Sequence, residues 1–280
     1  MFAAVVHARP QHLLMPGATK NLGHGWYLST VLLTSLGFYM WPQGFGAAFT
    51  AKSGNTLRRN AVVMPLYSIT MPLMFCVGLA AMLVLPGLSN GDLSLLTIVR
   101  KTFPAWFLGI IGGAGALTAM VPAAIQILTA ATVFVKNLYR PIVNPGLTDQ
   151  QVATRAKMMV PVITLIAVGF AIYSSASLVS LLLLGYDGVT QFFPGVVLGL
   201  YWNRVTKAGV FSGLIIGITI AVALVLSHRD PYMGINAGLI GLACNFSLTV
   251  VISMLTPAEK SGFEDSPIAV VSANALAASE

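Results

Sequence analysis

The run Trp106–Val135, WFLGIIGGAGALTAMVPAAIQILTAATVFV, holds thirty residues and no charge. A helix needs about 20 mostly apolar residues to cross the hydrocarbon of a bilayer. This run exceeds that length and carries Pro122 in its middle. Proline removes a backbone donor and clashes with the preceding turn, so a kink or break is expected there. Working outward, six further stretches read as spans: 26–49, 61–86, 157–175, 177–201, 209–227 and 234–255. Pro42, Pro65, Pro72, Pro161 and Pro194 fall within them. Broken helices survive at membrane depth only where protein or a cavity satisfies the freed backbone groups. Many such breaks favour a transporter or channel over a simple anchor.

Composition agrees with the spans. Of 280 residues, 56% are apolar and 8% charged, against about 25% charged in a typical soluble domain. That share cannot clothe a water-soluble globule of this size, and it excludes disorder. The net charge of +7 is scattered among apolar segments, which excludes a nucleic-acid partner. The fold class is therefore all-α, a polytopic membrane helical bundle with the lipid bilayer as its partner. Cys76 and Cys244 lie in apolar stretches, and His7, His12, His24 and His228 do not cluster, so no metal site is expected. Nucleophile–base triads, Walker-type loops and HExxH are absent from the sequence. The chain reads as no enzyme, with no catalytic residue and no cofactor beyond a coupling cation.

Lysine and arginine set the expected orientation. Ten of them, from Lys52 to Lys260, fall on one side, whereas Arg9, Lys20, Arg100, Lys101 and Arg229 fall on the other. This places the C-terminus in the cytoplasm. Residues 1–23 read as an extracytoplasmic N-terminal segment and 258–280 as a polar cytoplasmic tail. Glycine pairs four residues apart, Gly109/Gly113, Gly195/Gly199 and Gly213/Gly217, indicate close helix packing.

Few residues offer chemistry. Asp187 is the one acid inside a span. A charged carboxylate at membrane depth costs several kcal/mol or more, so it should face a cavity or a partner. Gln191, at i+4, lies on the same helix face, and together they are candidates to hold a cation or cycle a proton. The alternative is that Gly185 and Gly188 loosen a helix mouth where Asp187 meets water. In the first span, Tyr39, Trp41, Pro42 and Gln43 interrupt an apolar helix. A broken helix offers backbone groups and dipole ends to a small ligand, and the alternative is an interfacial aromatic belt. Gln126 is polar and intramembrane. Thr118 and Thr129 are expected to bond their own backbone. No lysine or arginine lies firmly within a span, so an anion would rely on helix N-termini.

Three segments resemble the sodium:solute symporter family and, within it, the bacterial monocarboxylate permease-like branch. They are Trp41-Pro42-Gln43 followed by Lys52 and Arg58-Arg59-Asn60, then Leu117 to Ile125 running to Asn137-Leu138-Tyr139, and Gln191-Phe192-Phe193-Pro194-Gly195 to Tyr201. The Val121-Pro122-Ala123-Ala124-Ile125 core carries the permease-branch likeness. The resemblance covers roughly residues 1–255. It implies the second half of an inverted-repeat, five-plus-five-helix secondary transporter in a bacterial inner membrane. Residues 24–201 would form the second repeat, and 202–257 two additional C-terminal helices. The first repeat has no counterpart here, which implies a truncated chain or an N-terminal half supplied by another chain.

The implied function is cation-coupled symport of a small carboxylate such as lactate or pyruvate. Tyr39, Trp41, Gln43 and Gln126 would contact substrate, and Asp187, Gln191, Thr118, Val121 and Pro122 would serve ion or proton coupling. In sodium-using members, consecutive hydroxyls serve sodium where Val121 and Pro122 stand here. Neither has a side-chain oxygen, and a hard cation wants oxygen ligands. The coupling cation is thus Na+ or H+, with the residues at that site arguing against Na+. The alternatives are a non-transporting membrane subunit and a symporter for proline, acetate or a sugar.

Overall fold

The computed structural model describes residues 2–8, 10, 22–88, 90–173 and 177–257. His12, Lys20 and the tail 258–280 lie outside them. The chain forms α1 (Phe2–Ala8), α2 (His24–Gly37), α3 (Pro42–Thr50), α4 (Gly54–Tyr67), α5 (Thr70–Val84), α6 (Ser94–Thr102) and α7 (Ala105–Val133). There follow α8 (Arg140–Val143), α9 (Asp149–Tyr173), α10 (Leu178–Val189), α11 (Phe193–Tyr201), α12 (Lys207–Leu226) and α13 (Ala237–Leu255). No strand occurs among the described residues, only one isolated bridge between Tyr232 and Ile235.

Six of the described helical stretches are long and apolar enough to cross a membrane: Gly54–Val84, Ala105–Val143, Asp149–Tyr173, Leu178–Tyr201, Lys207–Leu226 and Ala237–Leu255. Large apolar side chains stand exposed along them, such as Leu165, Ile172 and Leu226, and Tyr173 is 91% exposed. With lipid as solvent this arrangement is stable, and the chain is an all-α polytopic membrane protein.

The expected first span, 26–49, is not one helix. α2 is 14 residues long, continues as a 3-10 turn over Phe38–Met40, and stops at Trp41. Trp41 is extended (φ −64°, ψ 139°), with Pro42 opening α3. The cause is local, since a residue before proline is pushed out of the helical region. A kink or break is expected at Pro122, and the helix does not break there. α7 runs through Pro122 without interruption, as α9 does through Pro161. Each such proline forfeits one backbone bond, a loss that helices in lipid tolerate. The irregularity in this region comes instead at Phe134–Tyr139, which forms a π-helix. The N-terminal segment 1–23 includes helix α1, and α6 lies between the expected spans 61–86 and 106–135.

The structure divides into two compact units. One holds α1 and the chain from Trp41 to Leu182, and the other holds α2 with its 3-10 turn and the chain from Leu183. In the first, α7 packs on α9, α3 on α7 and α1 on α5. Under the π-helix, Val135, Leu147, Val152 and Ala156 make a buried cluster with Tyr139 and Met159. In the second, α12 and α13 pack along their lengths, with α2 and the 3-10 turn Thr190–Phe192 against α13. A third of the apolar window of Ala237–Leu255 is buried, against none in Ala105–Val143. α13 is therefore the central helix of its unit.

Candidate functional site

Asp187 lies two residues before the end of α10, where the helix tightens into the 3-10 turn Thr190–Phe192 and Pro194 then opens α11. It is 4% exposed, so the reading in which it meets water at a helix mouth does not hold. Its Oδ1 is buried without a hydrogen-bond partner. The Asn236 side chain and the Gly238 backbone lie beside it. The Gly238 amide is already taken, because it donates to Asn236 Oδ1 at 2.8 Å. A Cβ on Gly238 would overlap Asp187 Oδ1, so glycine is what lets the carboxyl sit against α13.

Gln191 is 1% exposed and fully used. Its Nε2 donates to the carbonyls of Asp187 and Gly238, both at 3.0 Å. Asn245 Nδ2 donates to Gln191 O at 2.7 Å and to Gln191 Oε1 at 3.2 Å. Thr249 Oγ1 then donates to Asn245 Oδ1 at 3.2 Å. One turn on, Ser253 Oγ accepts from the Thr206 amide at 3.1 Å. Each buried polar atom in such a network needs its partner, since an unmade bond costs about 1–3 kcal/mol.

α2 closes the site. Thr190 Oγ1 donates to Leu33 O at 3.3 Å, Ser29 Oγ accepts from the Asn236 amide at 2.9 Å, and Asn236 Nδ2 reaches Thr30 Oγ1 at 3.4 Å. At Gly37 a Cβ would overlap Thr190 Oγ1. Asp230 caps the start of α13 by accepting from the Ala237 amide at 2.9 Å.

Of the sequence candidates, the structure brings Asp187 and Gln191 together, and Tyr39 belongs to the same unit, exposed on the 3-10 turn that follows α2. Trp41, Gln43, Gln126, Thr118, Val121 and Pro122 belong to the other unit. There, Gln43 sits in the first turn of α3 and its Oε1 is buried without a partner. Gln126 is half-buried on α7, the helix against which α3 packs. Thr118 Oγ1 is spent on Ala114 O at 2.8 Å, as expected. Val121 is 63% exposed. The same unit holds a cavity of about 730 Å3, lined by Phe75, Leu79, Met82, Leu85 and Val179 among others, which none of the candidates lines.

Asn236, Asn245, Thr249 and Ser253 were missed by the sequence reading. A signal existed: Gly241, Asn245, Thr249 and Ser253 recur every four residues, one polar stripe on an apolar helix. Among the described residues no group of three His, Cys, Asp or Glu could hold a metal ion.

Comparison with known proteins follows the same lines. The model of the sodium:solute symporter family matches residues 2–217. The uncharacterized symporter YhjB of Bacillus subtilis (strain 168) is 40% identical over 95% of this chain and 56% of its own length. YodF, another uncharacterized symporter of that organism, is 31% identical over 91% of the chain and 51% of its own. A monocarboxylate transport permease protein of Rhizobium johnstonii is 28% identical over 83% of the chain and 50% of its own. The chain spans about half the length of these relatives. No solved structure matches it. Trp41-Pro42, the Val121–Ile125 core and the Gln191–Tyr201 segment all fall within the matched residues, and the chain belongs to the sodium:solute symporter family.

Proposed function

We propose that this chain is part of a secondary transporter that carries a small carboxylate across the membrane together with a cation. The observation that carries this reading is the interrupted helix at Trp41-Pro42. α3 starts there with no side-chain cap, and the first amides of a helix attract a carboxylate. Gln43, whose Oε1 is buried without a partner, stands in that first turn, and Gln126 stands on the neighbouring helix. Trp41, the extended residue at the break, serves as aromatic cover. The relative named as a monocarboxylate permease supports lactate- or pyruvate-sized solutes.

The helices between 24 and 201 act as a second five-helix repeat and α12 and α13 as additional helices, with the C-terminus cytoplasmic. The half-length coverage of the relatives supports this division. The first repeat then comes from upstream sequence or from another chain.

The test is uptake of labelled lactate and pyruvate by cells expressing the complete open reading frame, with sodium and pH varied separately. Accumulation driven by either gradient is expected. Labelled proline taken up in preference would change the substrate class, and no gradient-driven uptake of any solute would leave a non-transporting membrane subunit.

A further inference from the structure

We infer that the coupling cation is a proton carried by the Asp187 carboxyl, at the seat where α2 meets α10 and α13. The inference rests on the transport reading above and names the ion that reading leaves open.

Three observations carry it. First, Asp187 is shut away inside a membrane span, yet Oδ1 has no donor. A bare carboxylate oxygen at that depth is costly, whereas the neutral acid tolerates an unpaired oxygen. Second, among the described residues no cation acts on Asp187. The charged group that acts on Asp187 is another acid, Asp230. The elements around the site carry the titratable groups His24, Tyr27 and Tyr39 on α2 and its turn, Tyr186 on α10, Lys207 at the start of α12, Cys244 on α13, and His228, Arg229 and Tyr232 in the loop before it. None is an ion paired with Asp187. Third, the surroundings suit a proton and not a metal ion. The carboxyl is pressed against the Gly238 backbone, with the Leu33 side chain close to the same glycine. Gln191 Nε2 has both hydrogens on carbonyls, the amide oxygens of Gln191 and Asn236 already accept from Asn245 and the Gly238 amide, and the Asn236 side chain lies beside the carboxyl. A sodium or other hard cation needs a shell of several free oxygens.

The location gives the proton a task. α2 is tied to this seat through Leu33 O, Ser29 and Thr30. Loss of the proton leaves an uncompensated charge under α2, and its return restores the closed seat. The proton therefore sets the charge state of the seat that holds α2 against α10 and α13.

The experiment uses protein purified from the complete open reading frame in proteoliposomes, as wild type, D187N and D187E. An inward acid gradient drives accumulation of labelled lactate in the wild type, and addition of lactate alkalinises the outside. D187N loses both by at least tenfold, and D187E restores them in part. Infrared difference spectroscopy shows a protonated-carboxyl band in the wild type that D187N lacks, and thermal unfolding confirms that the variants fold. Sodium-driven uptake indifferent to D187N, or the absence of that band, overturns the proposal. A wild type that moves no carboxylate but shows the band sinks the transport reading while leaving the proton on Asp187.

Discussion

Replacing Gly213 by alanine adds one methyl group where α12 crosses α13. The new Cβ would lie 2.6 Å from the Asn245 carbonyl oxygen and 2.7 Å from Asn245 Oδ1, and would overlap Thr249 Oγ1. The first of these is backbone and cannot swing aside, so the helices must separate. Gly209 and Gly217 make equally close approaches to α13 along the same stripe, at Thr249 O and Gly241 O. The extra methyl therefore also loosens their contacts. Overpacking of this kind costs about 1–3 kcal/mol. The separation further stretches the Asn245–Gln191 bonds, and interhelical bonds in membranes are worth about 0.6 kcal/mol on average. At roughly 2–4 °C for each kcal/mol, the thermal midpoint should fall by about 3–14 °C. The control is Gly199→Ala, where nothing lies within 4 Å of the new Cβ. There, alanine favours the helix by roughly 0.5–1 kcal/mol, so the midpoint should hold or rise. Unfolding in detergent, followed by labelling of Cys76 and Cys244 as they become exposed, reads both. Equal shifts for the two variants would refute the claim that α12 and α13 pack through this stripe.

Two further tests address the polar contacts. Asn245→Leu and Gln191→Leu each remove one side of a buried pair, and each should cost about 1–3 kcal/mol by stranding the other. The double variant should cost less than the sum, and strict additivity in thermal unfolding would show that the pair is not coupled. Asp92 Oδ2 accepts from the Leu178 amide at 3.1 Å at the start of α10. Asp92→Ala should leave the midpoint nearly unchanged but speed amide hydrogen exchange at Leu178–Leu181, and unchanged exchange there would dismiss the tie.

How much was legible in the sequence differs from feature to feature. The interruption at Trp41-Pro42 could be read because its cause lies in two adjacent residues: proline restricts the conformation of whatever precedes it. Pro122 carried the same chemical warning, yet α7 passes through it. Whether an interior proline ends a helix depends on what else holds that helix, which no local rule states. The three glycine pairs looked alike in sequence. In the structure Gly109, Gly113 and Gly199 face open space, Gly195 meets the Val210 side chain, and Gly213 and Gly217 meet the α13 backbone. The spacing is a property of one helix, whereas the contact belongs to two. Asp187 and Gln191 were placed on one face by their four-residue separation, but their partners Asn236, Gly238 and Asn245 lie about 50 residues further along.

The sequence by itself determined that this protein lives in lipid, where most of its long apolar helices run, where the stretch 26–49 breaks, and which family it resembles. Those follow from hydropathy, chain length and the stereochemistry of neighbouring residues, all of which act over a few turns. Only the tertiary structure decided that Asp187 is sealed off, that α13 is the central helix of its unit, and that the Gln191–Asn245–Thr249 column runs along it. Burial and hydrogen-bond satisfaction depend on which distant segments are brought within bonding reach, and that is a property of the packed chain.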